Sequence, residues 1–159
     1  SLCDQFLEFA RPLVVATQPL DPAAIIRRVI ALHQAEFEAK GVNIQEEFSK
    51  DVPTIEADPL QLEQVCRNLM INALQACESG ATVTLALDGS GLKVTDSGSG
   101  IEPTMMDKLF TPFFTTKAAG TGLGLSNIRK IADAHGWSIS VESAPGKGAR
   151  FSVIWEHAA

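Results

Sequence analysis

The sequence predicts an α+β fold, a two-layer sandwich with three helices on one face of a mixed, mostly antiparallel five-stranded sheet. Three observations carry that prediction. Asp21-Pro22 and Asp58-Pro59 each open a stretch of apolar-periodic residues, with aspartate as N-cap and proline at the first helical position. Alternating segments meet in pairs at the short turns DGSG (88–91) and APGKG (144–148), which is how antiparallel strands are joined. Strands and helices do not alternate in regular βαβ units, which favours segregated layers over a parallel sheet.

Each element follows in order. LCDQFLEFA (2–10) carries Leu2, Phe6 and Phe9 with Leu7 beside them and meets Pro12, as the last turns of a helix would. Residues 1–12 are therefore set apart as a helix end, and 13–159 as one domain. Ile25, Ile26, Val29, Ile30 and Leu32 form the apolar face of the first full helix, which Gly41 ends. VNIQEEF (42–48) alternates as a strand. In the second helix Leu62, Val65, Cys66, Leu69, Ala73 and Ala76 follow the 3.6-residue period. VTLAL (83–87) and LKVTD (92–96) make a hairpin. Residues 97–123 are mostly irregular, with a short helix near 103–109. A third helix covers about 124–135 and stops at Gly136, and WSISVES (137–143) with ARFSVIW (149–155) closes the chain as a second hairpin.

Composition narrows the function. With 159 residues, 45% of them hydrophobic and 20% charged, the chain suits one globular domain with a substantial core. No apolar run approaches the ~20 residues of a membrane span, and no signal peptide is visible. The expectation is a cytoplasmic segment, whose parent is free to carry a membrane anchor. Three cysteines without C-x-x-C spacing argue against a disulfide framework or zinc site. On one helix, Cys66 and Cys77 would lie roughly 16 Å apart, too far to bridge. A net charge of −6 argues against a dedicated nucleic-acid binder.

Four polar or aromatic features remain. KAAGTGLGLS (117–126) sets a lysine and three glycines before a helix. Such a loop either cradles phosphate with backbone N–H groups or simply turns the chain. It fits neither a Walker loop nor the G-x-G-x-x-G fingerprint. Gln64, Asn68, Asn72 and Gln75 stack carboxamides along one face of the second helix, in a stretch, NLMINALQAC, without charge. They either bond neighbouring backbone or offer oxygen to a hard cation or its water. Alternation turns Asp96 inward with Leu92 and Val94, just before Gly98 and Gly100. That carboxylate either caps a turn or accepts from an exocyclic amine such as adenine's. Phe110, Phe113 and Phe114 in LFTPFFTTK (109–117) are either loop anchors or ligand contacts.

Taken in order along the chain, NLMINALQA, VTDSGSGI, LFTPFFTTK and GTGLGLS resemble the N, G1, F and G2 boxes of the ATP-binding domain of bacterial sensor histidine kinases. That superfamily is shared with DNA gyrase, MutL and the 90-kDa heat-shock chaperones and has the Bergerat-type ATP-binding fold. The resemblance covers roughly residues 20–155. FLEFARP (6–12) is similar to the end of the family's second dimerisation helix. The short lid, only Ala118 and Ala119 between Lys117 and Gly120, resembles the class related to nitrogen-regulation kinases.

The resemblance implies a division of labour. Asn72 would hold Mg²⁺ against the phosphates of ATP, helped by Asn68 one turn earlier. Asp96 would accept from the adenine amine, with Gly98 and Gly100 permitting close approach. Gly120, Thr121, Gly122, Leu123 and Gly124 would wrap the phosphates, and Lys117 would supply charge. Ala76, Ile101 and Phe151 would wall the adenine slot. Two positions depart from the family pattern. Gln75 stands where a lysine is common, and Ala149 replaces the threonine of the last box, removing a hydroxyl worth ~1 kcal/mol to adenine contact.

Family ATPases place a glutamate one turn before the Mg²⁺ asparagine, and Asn68 cannot take a proton from water there. That favours phosphoryl transfer to a histidine over hydrolysis. None of His33, His135 and His157 has the setting of an acceptor, so the acceptor is expected on a dimerisation domain outside this chain. The implied partners are that domain and a downstream response regulator. The parent would be a homodimer and this chain alone a monomer. The alternative is a nucleotide-binding regulatory module that transfers nothing.

Overall fold

The structure, a computed structural model, describes residues 14–110 and 124–155, with only the backbone of Asp107. In chain order the elements are β1 (Gln18–Leu20), α1 (Pro22–Lys40), β2 (Asn43–Phe48), β3 (Ile55–Ala57), α2 (Pro59–Ala76), β4 (Thr82–Leu87) and β5 (Gly91–Asp96). A 3₁₀ segment (Pro103–Lys108), α3 (Gly124–His135), β6 (Ser138–Ser143) and β7 (Ala149–Ile154) complete them.

Both Asp-Pro pairs start helices as their chemistry requires. Asp21 Oδ1 accepts from the Ala23 N–H at 3.0 Å. Asp58 Oδ1 accepts from Leu60 at 3.0 Å and Gln61 at 3.3 Å, each cap being worth ~1 kcal/mol. At the far end of α1, Gly41 takes φ 77°, and the N–H groups of Gly41 and Val42 close onto Glu38 and Phe37.

The main sheet has the order β2-β4-β5-β7-β6. It is antiparallel except where β2 runs parallel to β4, because β3 and α2 intervene in sequence between them. β1 and β3 form a separate antiparallel ribbon, Gln18 opposite Ala57 and Leu20 opposite Ile55. The sequence does not announce that ribbon, since three residues per strand are too few for alternation to register.

One core joins the layers. Ile26, Val29 and Phe37 of α1, Leu62, Val65, Leu69 and Met70 of α2, and Ile128 and Ile131 of α3 pack with Val83, Leu85, Leu92, Val94 and Val153 of the sheet. Leu32 corrects the sequence reading: it is 71% exposed. It falls ~20° beyond Ile25 on the helical wheel, just past the edge of the buried stripe, whose place is completed by Phe37 instead. Residues 1–13, including FLEFARP, lie outside the described residues, as does His157.

Candidate functional site

Asp96 ends β5 on the inward face, as alternation requires, and is only 4% exposed. Its neighbours across the sheet are Val83 on β4 and Ala149 on β7. Asp96 Oδ1 accepts from the Gly98 N–H at 2.9 Å. The carboxylate therefore caps the turn, as one of its two readings has it, and is also buried on the inward face. Beside it, the Cys77 thiol is pushed up by burial and then by the Asp96 charge.

The loop after Asp96 is held on both sides. The Ser99 N–H donates to Ala76 O at the end of α2 (3.3 Å), and the Gly146 N–H donates to Ser99 O (2.7 Å). The Ile101 N–H donates to Ser143 Oγ at 2.9 Å, and that hydroxyl donates to Gly148 O at 2.6 Å. Close approach explains the glycines. A Cβ on Gly98 would collide with the Ala76 carbonyl oxygen, and one on Gly100, at φ 79°, with that of Ala144. Ala76, Asp96, Gly98, Gly100 and Ile101 thus come together where α2 ends. Phe151 is buried two register positions away, opposite Val94, and Phe110 meets its ring edge-on with centroids 6.4 Å apart. Phe110 is therefore a core anchor, with the Arg129 guanidinium 5.8 Å from its ring centre.

Along α2, Gln64, Asn68 and Asn72 are half-buried and Gln75 is exposed. Asn68 Nδ2 donates to Gly124 O, the first residue of α3, at 3.3 Å. The amide thus bonds backbone through its nitrogen, and Oδ1 remains as its acceptor atom for a cation or water. Asn72 lies one turn further along, between Asn68 and Ala76. Lys117, Gly120, Thr121, Gly122 and Leu123, with Phe113 and Phe114, lie outside the described residues; Gly124 is the described end of that loop.

Among the described residues no group of three His, Cys, Asp or Glu side chains is placed to hold a metal. The donors on offer are carboxamide oxygens, which suit Mg²⁺ only as partners to phosphate oxygens and water. That is the donor set of a metal carried in with a nucleotide.

The two described histidines each have partners of their own. His33 Nδ1 pairs with Glu36 Oε1 at 3.0 Å on α1. His135 Nδ1 lies 2.8 Å from Ile131 O, which can only accept, so Nδ1 carries the proton. Its Nε2 then accepts from the Asp58 N–H at 3.1 Å, and the ring stacks on Trp137. Sequence reasoning missed Ser143, Ala144 and Asp58 as parts of this framework. Each acts through a backbone contact with residues 42 or more positions away, and no periodicity reports such a contact.

Residues 57–158 match the family of histidine kinase-, DNA gyrase B- and HSP90-like ATPases, and the chain belongs to that family. The sensor histidine kinase ZraS of Escherichia coli O157:H7 is 40% identical over 153 residues, covering 94% of this chain. The chain spans about a third of the length of that relative, 33%. The catalytic domain of histidine kinase ThkA superposes with a TM-score of 0.78 at 31% identity, over 87% of this chain and 94% of its own. Full-length ShkA, solved in complex with AMPPNP, gives 0.83 at 29% identity, over 99% of this chain and 36% of its own. Among the described residues no helix is long and apolar enough to cross a membrane.

Proposed function

We propose that this chain binds Mg·ATP between α2, the 96–101 loop and the loop leading into α3, and donates the γ-phosphoryl group to a histidine of a dimerisation domain in a two-component kinase. The observation that carries the reading is the inward carboxylate of Asp96, 4% exposed and set at the glycine loop that α2 and the β6–β7 hairpin hold in place. A buried carboxylate there matches an adenine amine, because an amine donor compensates the cost of keeping the charge out of water. Its Oδ1 also accepts from Gly98, so the acceptor is oriented before any ligand arrives.

The remaining roles follow from position. Asn72 and Asn68 would hold Mg²⁺ by their amide oxygens, and the metal would neutralise charge on the phosphates. Gly124 and Gly120, Thr121, Gly122 and Leu123 before it would present backbone N–H groups to the phosphates, with Lys117 adding a point charge. Ala76, Ile101 and Phe151 would wall the base. The chain's contribution to transfer is to fix the γ-phosphorus in line with an incoming imidazole and to exclude water. Asn68 in the position of a glutamate supports transfer over hydrolysis, because a carboxamide is no general base. Residues 1–12 are read as the end of a dimerisation helix, and a response regulator as the next acceptor.

The test is incubation of the chain with [γ-³²P]ATP, alone and with a dimerisation domain added in trans. Acid-labile label on the added domain's histidine, and none on this chain alone, is the expected result. Nucleotide binding without label on any added domain would replace the kinase reading by a regulatory one. Stable label on this chain alone would overturn the assignment of its histidines.

A further inference from the structure

We infer that a second binding site lies at the end of the sheet remote from Asp96: a cleft between Trp137, Trp155 and Glu56 that takes a guanidinium group on an alkyl stem. Nothing in the nucleotide reading uses it. β5 runs from Gly91 to Asp96, so the two ends of the sheet stand roughly 17 Å apart. The cleft holds about 450 Å³ at the Gly91 end, between residues 53–56, Gly89 of the β4–β5 turn, and His135, Trp137 and Trp155. That volume lies in the lower part of the range of small-ligand pockets.

The closing hairpin carries both indoles to this end. Trp137 directly precedes β6, and Trp155 directly follows β7, where its backbone N–H donates to Ser90 O at 2.9 Å. Their ring centroids are 5.8 Å apart and their planes are tilted by 56°. His135, at the end of α3, stacks on Trp137 with centroids 4.2 Å apart. Both its nitrogens are engaged, Nδ1 with Ile131 O and Nε2 with the Asp58 N–H, so the imidazole adds a flat surface and no charge. Trp155 Nε1 is buried without a hydrogen-bond partner. A buried indole N–H ordinarily has one. Without it no polar contact of the side chain fixes the ring, which is left able to turn toward an occupant.

The lining chemistry selects a cation. Indole faces attract one that comes within about 6 Å of the ring centre. Glu56, exposed on β3, supplies a carboxylate and makes no ion pair among the described residues. No lysine or arginine is among the described residues that line the cleft. The net charge of −6 favours a cation's approach as well. Among organic cations a guanidinium answers this combination best. Its plane stacks on an aromatic face while its fork makes paired hydrogen bonds to a single carboxylate. An alkyl stem would then cover Pro53 and Ile55. A free alkylguanidine and the arginine side chain of a partner segment present the same group.

The experiment follows the indole N–H signals by ¹H–¹⁵N NMR, with tryptophan fluorescence alongside. Trp137 and Trp155 are the chain's only tryptophans and it has no tyrosine, so both readouts report this cleft. The probe is n-butylguanidinium, titrated beside its uncharged isostere n-butylurea, with and without saturating Mg·ADP, into the unmutated chain and Glu56→Gln. Saturable shifts of the indole signals with n-butylguanidinium are expected, unchanged by Mg·ADP and absent with n-butylurea. Glu56→Gln alters an exposed position, and the rest of its spectrum checks that it is folded. It should weaken binding about tenfold, the worth of hydrogen bonds to one charged group. A capped glycyl-arginyl-glycine peptide separates the two sources. Binding tighter than that of n-butylguanidinium assigns the cleft to an arginine of a partner segment, and equal or weaker binding assigns it to a small free ligand. Shifts that never saturate, equal shifts with n-butylurea, undiminished binding to folded Glu56→Gln, or displacement by Mg·ADP would each overturn the inference.

Discussion

Replacing Gly98 by alanine tests whether the loop after Asp96 is packed as tightly as the contacts require. A Cβ there would overlap the Ala76 carbonyl oxygen and lie 2.8 Å from the Ala76 carbonyl carbon and 3.0 Å from Asp96 Oδ1. The first two are backbone atoms of the last turn of α2, so neither can swing away. Relief requires shifting that turn or the loop, an overpacking cost of ~1–3 kcal/mol. The shift also lengthens the 2.9 Å bond from the Gly98 N–H to the Asp96 carboxylate, adding ~1.5 kcal/mol for a charged acceptor. The total is about 3 kcal/mol of lost stability. Gly136→Ala is the control. Gly136 has φ 72° and nothing within 4 Å of a Cβ, so only the left-handed backbone penalty of ~1 kcal/mol applies. Urea unfolding should separate them, with midpoint losses of roughly 1.5–2 M against about 0.5–1 M for a chain of this size. A Gly98→Ala midpoint no lower than that of Gly136→Ala would refute the packing argument, and with it the close approach that confines the site.

Three further outcomes follow from the same geometry. Burial pushes the Cys66 thiol up to about 12, so the stability this group contributes is complete below its ordinary value and is lost as pH rises from ~9 toward 12. Unfolding free energy should fall by ~1.4 kcal/mol per pH unit in that window, and Cys66→Ala should flatten the slope in denaturant titrations between pH 8 and 10.5. The Asp88 carboxyl is held below the usual range by the Ser90 hydroxyl and by the N–H groups of Ser90 and Gly91. Its stabilisation is present above the ordinary carboxylate value and lost as pH falls through the lowered one, so Asp88→Asn should remove a low-lying step from an NMR titration of the Ser90 amide. Ala149 faces Asp96 across the sheet, so Ala149→Thr should return a hydroxyl to the base and tighten Mg·ADP about fivefold, the worth of one hydrogen bond.

Much of the fold can be read in the sequence because local chemistry and tertiary packing agree. Asp21 and Asp58 cap helices where Asp-Pro says they should, and the inward march of Leu92, Val94 and Asp96 is a plain consequence of strand alternation. Leu32 shows the limit of periodicity, which finds a stripe but not the width of what covers it. The β1–β3 ribbon, the Ser143 hydroxyl between Ile101 and Gly148, and the meeting of Asp58 with Ala16 and His135 are contacts between distant segments. Their residues follow no local rule, so only the folded chain displays them. At the candidate site the residue types were legible before their partners were. Asp96 looked like either a turn cap or a ligand acceptor, and the structure shows a cap whose carboxylate also faces inward.

The most direct test of the central claim is calorimetric titration of Mg·ADP and Mg·ATP into the unmutated chain and into Asp96→Asn. The account predicts saturable binding to the unmutated chain and its loss in the variant, which has one acceptor oxygen for the Gly98 N–H and so turns its NH2 toward an amine donor. Equal affinity of the two proteins would contradict the assignment of Asp96 to the base, and no binding to either would contradict the nucleotide site itself.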